Sequence, residues 1–164
     1  MTIQIRQSTL ADLPVLMQLF ESGKRIMRRS GNLRQWTGSY PSENVVAGDI
    51  HRGHSYLCLD ETGRAVGTFA FIPGDDPTYA RIYEGEWLDN THPYATIHRL
   101  AGREDASGVA AACLDWCYAQ IPNLRADTHR DNSIMQHILL KHGFRYCGII
   151  YLLNGDERLA YQKV

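Results

Sequence analysis

The run from Leu124 to Leu152 constrains the fold more than any other part of the chain, because it reads as strand, capped helix and strand with few residues between them. Leu124 to Thr128 is the first strand. Asp131 or Asn132 then offers a side-chain oxygen to the free N–H groups of a helix start, and Ile134, Met135, Ile138 and Leu139 fall on one side at helical spacing. Gly143 stops this helix. A left-handed residue costs glycine little, and Phe144 directly after it folds back over the last turn as the hydrophobic contact of such a cap. Cys147-Gly-Ile-Ile-Tyr-Leu152 continues as an apolar strand.

Composition bounds the class without naming a function. A chain of 164 residues is one domain, 1–164, long enough to bury a real core. Its 17 basic and 18 acidic residues nearly cancel, which gives no electrostatic case for nucleic acid or an anionic membrane surface. No apolar stretch approaches the roughly 20 residues that a bilayer crossing needs. The N-terminal Met-Thr-Ile-Gln-Ile-Arg alternates like a strand and lacks the apolar core of a signal peptide, so a cytoplasmic address is expected. Cys58, Cys113, Cys117 and Cys147 sit in apolar segments without a Cys-x-x-Cys pair, as buried thiols rather than disulfides or metal ligands.

The remaining elements alternate with no linker or repeat. Ile3 to Arg6 is a strand, and a helix opens at Ser8 or Thr9 with Asp12 placed as in a capping box. Leu13, Leu16, Met17 and Phe20 form its buried stripe, and Lys24 to Arg29 its solvated basic end. An aromatic-bearing loop, Gly31 to Pro41, precedes a short helix over Glu43 to Arg52. Tyr56 to Leu59 and Ala65 to Ile72 form a hairpin about Asp60-Glu-Thr-Gly63. Tyr94 to Ala101 is a strand and Gly108 to Ala119 a helix rich in small residues. Arg145 to Leu152 and Arg158 to Gln162 are strands joined by the turn at Asn154-Gly155. The fold class is α/β (mixed α+β), a mostly antiparallel mixed sheet of about six to seven strands with about four helices.

This order of elements resembles the GNAT superfamily of N-acetyltransferases over nearly the whole chain. Asn132 stands eleven positions before Gly143-Phe144, a spacing usual for that family's last helix. The resemblance implies acetyl-CoA as donor, no metal, and an amine of a small molecule or peptide as acceptor, with a homodimer as a further association. It places the donor along Leu100, Ala101 and Gly102, where the central strand splays, and along Asn132. The pyrophosphate belongs at a turn and helix start, Ser107, Gly108, Val109, Ala110 and Ala112, where unpaired N–H groups favour an anion.

Two departures from the family pattern stand out. Its turn carries Arg or Gln, then Gly, then Gly or Ala at positions that fall here on Ser107, Ala110 and Ala112, so only the last agrees. Arg103 is the nearest substitute for the missing cation, or simply an exposed arginine. The tyrosine that many relatives use to protonate the departing thiolate corresponds to Leu139. Tyr151 is the best remaining candidate for that role, and solvent is its rival, since an ordinary thiol titrates at about 8.5.

On the acceptor side, aromatic and acidic groups gather in loops: Trp36 and Tyr40 after the first helix, Glu84 and Trp87 before the central strand. Aromatic faces with a carboxylate suit a cationic amine, while the plainer alternative is cover for the core edge. Gln35-Trp36 and Tyr40-Pro41, together with His98-Arg-Leu-Ala101, resemble a bacterial subgroup of the family. His98 lies where many relatives carry a glutamate that removes the acceptor's proton, and a core histidine is the competing reading. No histidine pair has the spacing of a zinc site. Two other functions remain open: a non-catalytic acyl-CoA-binding or sensor protein, and a hydrolase using Cys147 or Cys58 beside His98.

Overall fold

The computed structural model describes residues 2–164. Its strands are β1 (Gln4–Gln7), β2 (Ser55–Leu59), β3 (Ala65–Pro73), β4 (Ala95–Gly102), β5 (Leu124–Thr128), β6 (Arg145–Tyr151) and β7 (Glu157–Lys163). The helices are α1 (Leu13–Arg29), α2 (Glu43–His51), α3 (Val109–Gln120) and α4 (Ser133–Lys141). One seven-stranded sheet results, ordered β1-β2-β3-β4-β5-β7-β6, in which β4 and β5 form the parallel pair. The mixed sheet and its four helices agree with the sequence reading, and most boundaries fall within a residue or two.

Local rules explain the element ends. Asp12 accepts a hydrogen bond from the Thr9 N–H at 2.7 Å and starts a 3-10 turn, Leu10–Asp12, that runs into α1. Asn132 caps α4 by accepting from the Met135 N–H at 3.0 Å. The basic Lys24 to Arg29 segment is part of α1, where Arg28 and Arg29 suit the negative end of the helix dipole. Gly23 of α1 lets the helix lie on β4, because a Cβ there would come within 3.1 Å of the Ala101 Cβ.

The side chains of β4 divide between two layers, and an irregularity in its pairing with β3 turns Ile97 and Ala101, four residues apart, to opposite faces. Ile97 joins Phe69, Phe71, Leu124 and Leu159 in the core beneath α3 and α4. Ala101 faces the other way and packs with Leu16, Phe20 and Val46 of α1 and α2. The connection from 74 to 94 also covers that second face, anchored by buried Tyr79, Trp87 and Tyr94. The Arg125 guanidinium lies 3.9 Å from the ring centres of both Trp87 and Tyr94, which rivets this long loop to β5. Among the described residues, no helix is long and apolar enough to cross a membrane.

Candidate functional site

The two central strands separate almost as soon as they meet. Their pairing ends at Thr96↔Arg125, so the side of β4 facing β5 has no strand partner beyond that point. A bulge adds to the divergence. The register with β3 steps from Ala70↔His98 to Thr68↔Ala101, which sets Arg99 and Leu100 against Phe69 alone. Arg99 takes φ +51, a conformation that costs a non-glycine residue about 1–3 kcal/mol. Its side chain offsets this: Nε and Nη2 donate to the buried Asp49 carboxylate at 2.7 and 2.8 Å, and Nη1 donates to the Tyr40 hydroxyl at 3.1 Å. Burial opposes the Arg99 charge, but Asp49 and Tyr40 more than compensate and hold its pKa above the usual value.

The divergence opens a cleft of about 630 Å³ lined by β4, β5, the Trp36–Tyr40 loop and Asp76. A second groove of about 290 Å³ runs between α1, the end of β4 and the start of α3. Met27, Leu100, Asn132 and Met135 line both, so the two spaces join beside the bulge.

His98 stands half-buried on the cleft side, on the face opposite Ile97. Its Nε2 lies 3.1 Å from Asp76 Oδ2. Burial pushes the Asp76 carboxyl up, but hydrogen bonds from His98 and Thr78 outweigh it and hold the pKa at about 2. An ionised carboxylate only accepts hydrogen bonds, so Nε2 carries a proton, and in the neutral imidazole the lone pair is then on Nδ1. A second carboxylate, Asp127 of β5, lines the same cleft and accepts from the Tyr79 hydroxyl at 2.5 Å. Burial first, then the Asp127 charge, drives that phenol well above its ordinary range.

The groove gathers most of the residues that the resemblance places along the donor. Leu100, Ala101, Gly102, Gly108, Val109 and Ala110 all line it. Gly108 takes φ +74 as the residue before α3, and α3 has no acidic side chain in its first turn. The first N–H groups of that helix lack intrahelical partners, which favours an anion. Ser107 and Ala112 do not line the groove; Ser107 is exposed and Ala112 sits within α3. Arg103 lines it, with Nε on Asp105 at 3.1 Å. Asn132 lines both spaces, but its side chain is already engaged: besides the cap, its amide donates to Gln35 Oε1 at 3.0 Å. Its direct effect is to tie α4 to the Trp36 loop.

The acceptor candidates divide. Trp36 and Tyr40 line the cleft, with Trp36 edge-on to Phe20 at 5.6 Å. Glu84 and Trp87 do not. Trp87 is 7% exposed, donates through Nε1 to the Tyr79 carbonyl, and belongs to the core. Glu84 is exposed in a loop whose neighbour Tyr83 bridges to Ile149 of β6. Tyr151 also lies outside the cleft lining, packed edge-on against Tyr83 at 5.4 Å, so the proposed acid is not positioned for the role. Leu139 lines the cleft as an apolar wall. No cysteine lines either space, and burial pushes the Cys147 thiol up, which removes the basis for a cysteine nucleophile. Among the described residues, no cluster of ligands suits a metal ion. Asp76, Asp49 and Arg99 were missed from the sequence; only the position of Arg99 next to His98 offered a signal.

No family model and no curated protein matches the chain. Solved structures do. A GNAT family acetyltransferase from Listeria monocytogenes is 18% identical with a TM-score of 0.69, covering 98% of this chain and 94% of its own. A phosphinothricin acetyltransferase from Sinorhizobium meliloti, solved in complex with AcCoA, is 15% identical with a TM-score of 0.65, over 99% of this chain and 88% of its own. These likenesses define the class, an α/β acetyltransferase fold. A GNAT family acetyltransferase from Streptococcus agalactiae is 34% identical with a TM-score of 0.90, over 99% of this chain and 95% of its own. At that identity over nearly the full length, the chain belongs to the GNAT family of acetyltransferases.

Proposed function

We infer that the protein moves an acetyl group from acetyl-CoA to a primary amine of a small molecule or peptide by direct attack, with His98 as general base. The carrying observation is the His98–Asp76 pair, which lines the cleft where β4 parts from β5. An alkylammonium titrates near 10.4 and cannot attack a thioester until it loses a proton, whereas an ordinary imidazole, near 6.5, can take one at pH 7. Once the ammonium has given its first proton to water, the neutral amine nitrogen bonds to the acetyl carbon, and the Nδ1 lone pair receives the second proton that this nitrogen must lose to become an amide. Backbone N–H groups on the unpaired side of β4 near Leu100 to Gly102 hold the oxyanion. The C–S bond then breaks, and the thiolate leaves past Leu139 and takes a proton from water. Donor binding rests on the groove, with the pyrophosphate at the Gly108–Ala110 helix start and the pantetheine arm along β4.

The Leu139 wall and the lack of a cation at Ser107 favour a second reading, a non-catalytic acyl-CoA-binding protein. One experiment separates the two. His98→Ala lowers turnover roughly 10²–10⁴-fold, measured by CoA release across an amine panel, with CoA affinity almost unchanged. His98→Glu recovers part of it. Full turnover in His98→Ala moves the base to solvent, and no turnover by the unaltered protein on any amine supports the binding protein.

A further inference from the structure

Two guanidinium groups in the cleft have no carboxylate partner. Arg158 of β7 lines the cleft at 8% exposure, and its one hydrogen bond among the described residues runs from Nη1 to the Glu157 carbonyl at 2.8 Å. The Glu157 side chain is taken by Arg130 at 2.7 Å. Arg34 is exposed, lines the same cleft, and has no hydrogen bond or ion pair among the described residues. A cation as buried as Arg158 is costly unless something anionic faces it.

Among the described residues, no carboxylate of the cleft hydrogen-bonds either guanidinium. Asp76 is held by His98 at 3.1 Å, Asp127 by the Tyr79 hydroxyl at 2.5 Å, and Asp156 by the Asn154 amide at 3.2 Å. Asp127 pairs directly with Ala160, so Arg158 shares its sheet face and stands diagonally across from it. His129 feels both arginines: burial first, then the Arg158 charge and, less, that of Arg34, lower its pKa against the opposing charges of Asp131 and Asp156. At one end of the cleft Asp76 is engaged with His98, while Arg158, beyond Asp127, hydrogen-bonds no carboxylate.

We propose that the acceptor is an amine carrying a carboxylate, as a free amino acid does, with Arg158 and Arg34 holding the carboxylate while the amine faces His98. This rests on the acetyl-transfer reading of the same cleft. The volume of about 630 Å³ suits a small molecule, and a guanidinium fork matches a carboxylate in both charge and shape.

The test compares L-amino acids with their carboxamides, which lack the charge the arginines would meet. Carboxamides have the less basic amine, so intrinsic reactivity at pH 7 favours them. At least one amino acid is expected to exceed its amide by roughly tenfold or more in kcat/KM, the difference lying in KM. Arg158→Gln raises KM for that amino acid roughly 10–100-fold with kcat little changed, and Arg158→Lys recovers part. Arg34→Gln, at an exposed position, gives the same direction without risk to folding. Calorimetry of the amino acids on CoA-saturated protein reads binding independently of turnover. Equal use of acids and amides overturns the proposal while leaving acetyl transfer intact. So does an unchanged KM in both Arg34→Gln and a folded Arg158 variant. An amino acid that binds through Arg158 but is never acetylated keeps the anion site and overturns the transfer reading. Neither binding nor turnover with any amino acid overturns the proposal.

Discussion

Asp76→Asn removes one negative charge from the cleft while keeping the shape of the side chain. A fall of the Asp76 pKa from its ordinary 3.8 to about 2 corresponds to roughly 2 kcal/mol at 1.36 kcal/mol per pH unit. Its side chain is 20% exposed, and solvent screening brings the figure to about 1 kcal/mol. Because the folded-state value is depressed, this contribution is complete above the ordinary carboxylate range and disappears as pH falls through about 2. Urea midpoints should therefore place the variant about 1 kcal/mol below the unaltered protein at pH 7, with the gap persisting near pH 5 and closing by about pH 2. Turnover is expected to fall by roughly 10–100-fold, because an amide can offer Nε2 either an acceptor or a donor and no longer fixes the tautomer that leaves Nδ1 free. A stability gap of the same size at pH 2.5 and pH 7 would refute the charge argument. Unchanged turnover would refute the positioning argument, and the two results are independent.

Asp49→Ala strands the Arg99 guanidinium without its carboxylate and should cost about 3–5 kcal/mol of stability, read by denaturant unfolding. A loss below about 1 kcal/mol would mean that the backbone alone maintains the bulge. Acetyl-CoA is expected to raise the melting temperature by binding the folded state, and Ser107→Arg to tighten CoA several-fold by adding a cation beside the helix start. If neither acetyl-CoA nor CoA moves the melting temperature, the donor groove is misassigned; weaker CoA binding by Ser107→Arg means the phosphates lie elsewhere.

Short-range features of this fold were readable from the chain. The Asn132 cap and the Gly143 stop act within one helical turn, and α4 runs between them. His98 was readable from its place in the strand Tyr94 to Ala101 and from the resemblance, which puts a glutamate there in many relatives. Its partner Asp76 was not: it lies 22 residues earlier in a loop, and nothing local specifies that contact. The bulge was also hidden, since an extra residue in β4 exists only relative to the register of β3. Glycine would have advertised a left-handed position, but the chain uses Arg99 and stabilises it from α2. Loop aromatics were ambiguous for a related reason. Trp36 and Trp87 both lie in loops, yet one lines the cleft and the other lies over Arg125 in the core.

The same contrast accounts for the eroded phosphate turn. A pyrophosphate at a helix start is held mainly by backbone N–H groups and the helix dipole, which need a left-handed entry residue and an absence of nearby unpaired acids. Gly108 at φ +74 meets the first need. The adjacent acids are neutralised: Glu104 is bonded to Arg25 and Arg29, and Asp105 to Arg64 and Arg103. On the proposed reading, side chains at Ser107 and Ala110 can therefore differ from the family pattern while the backbone groups that would face the donor are kept. The acceptor cleft has no such tolerance, because its chemistry lies in side chains drawn from the Trp36 loop, the 74–94 connection, β4, β5 and β7. Each of those segments is spaced far along the chain from the others, so what the cleft accepts is decided only when β4 and β5 part and bring His98, Asp127 and Arg158 to one opening.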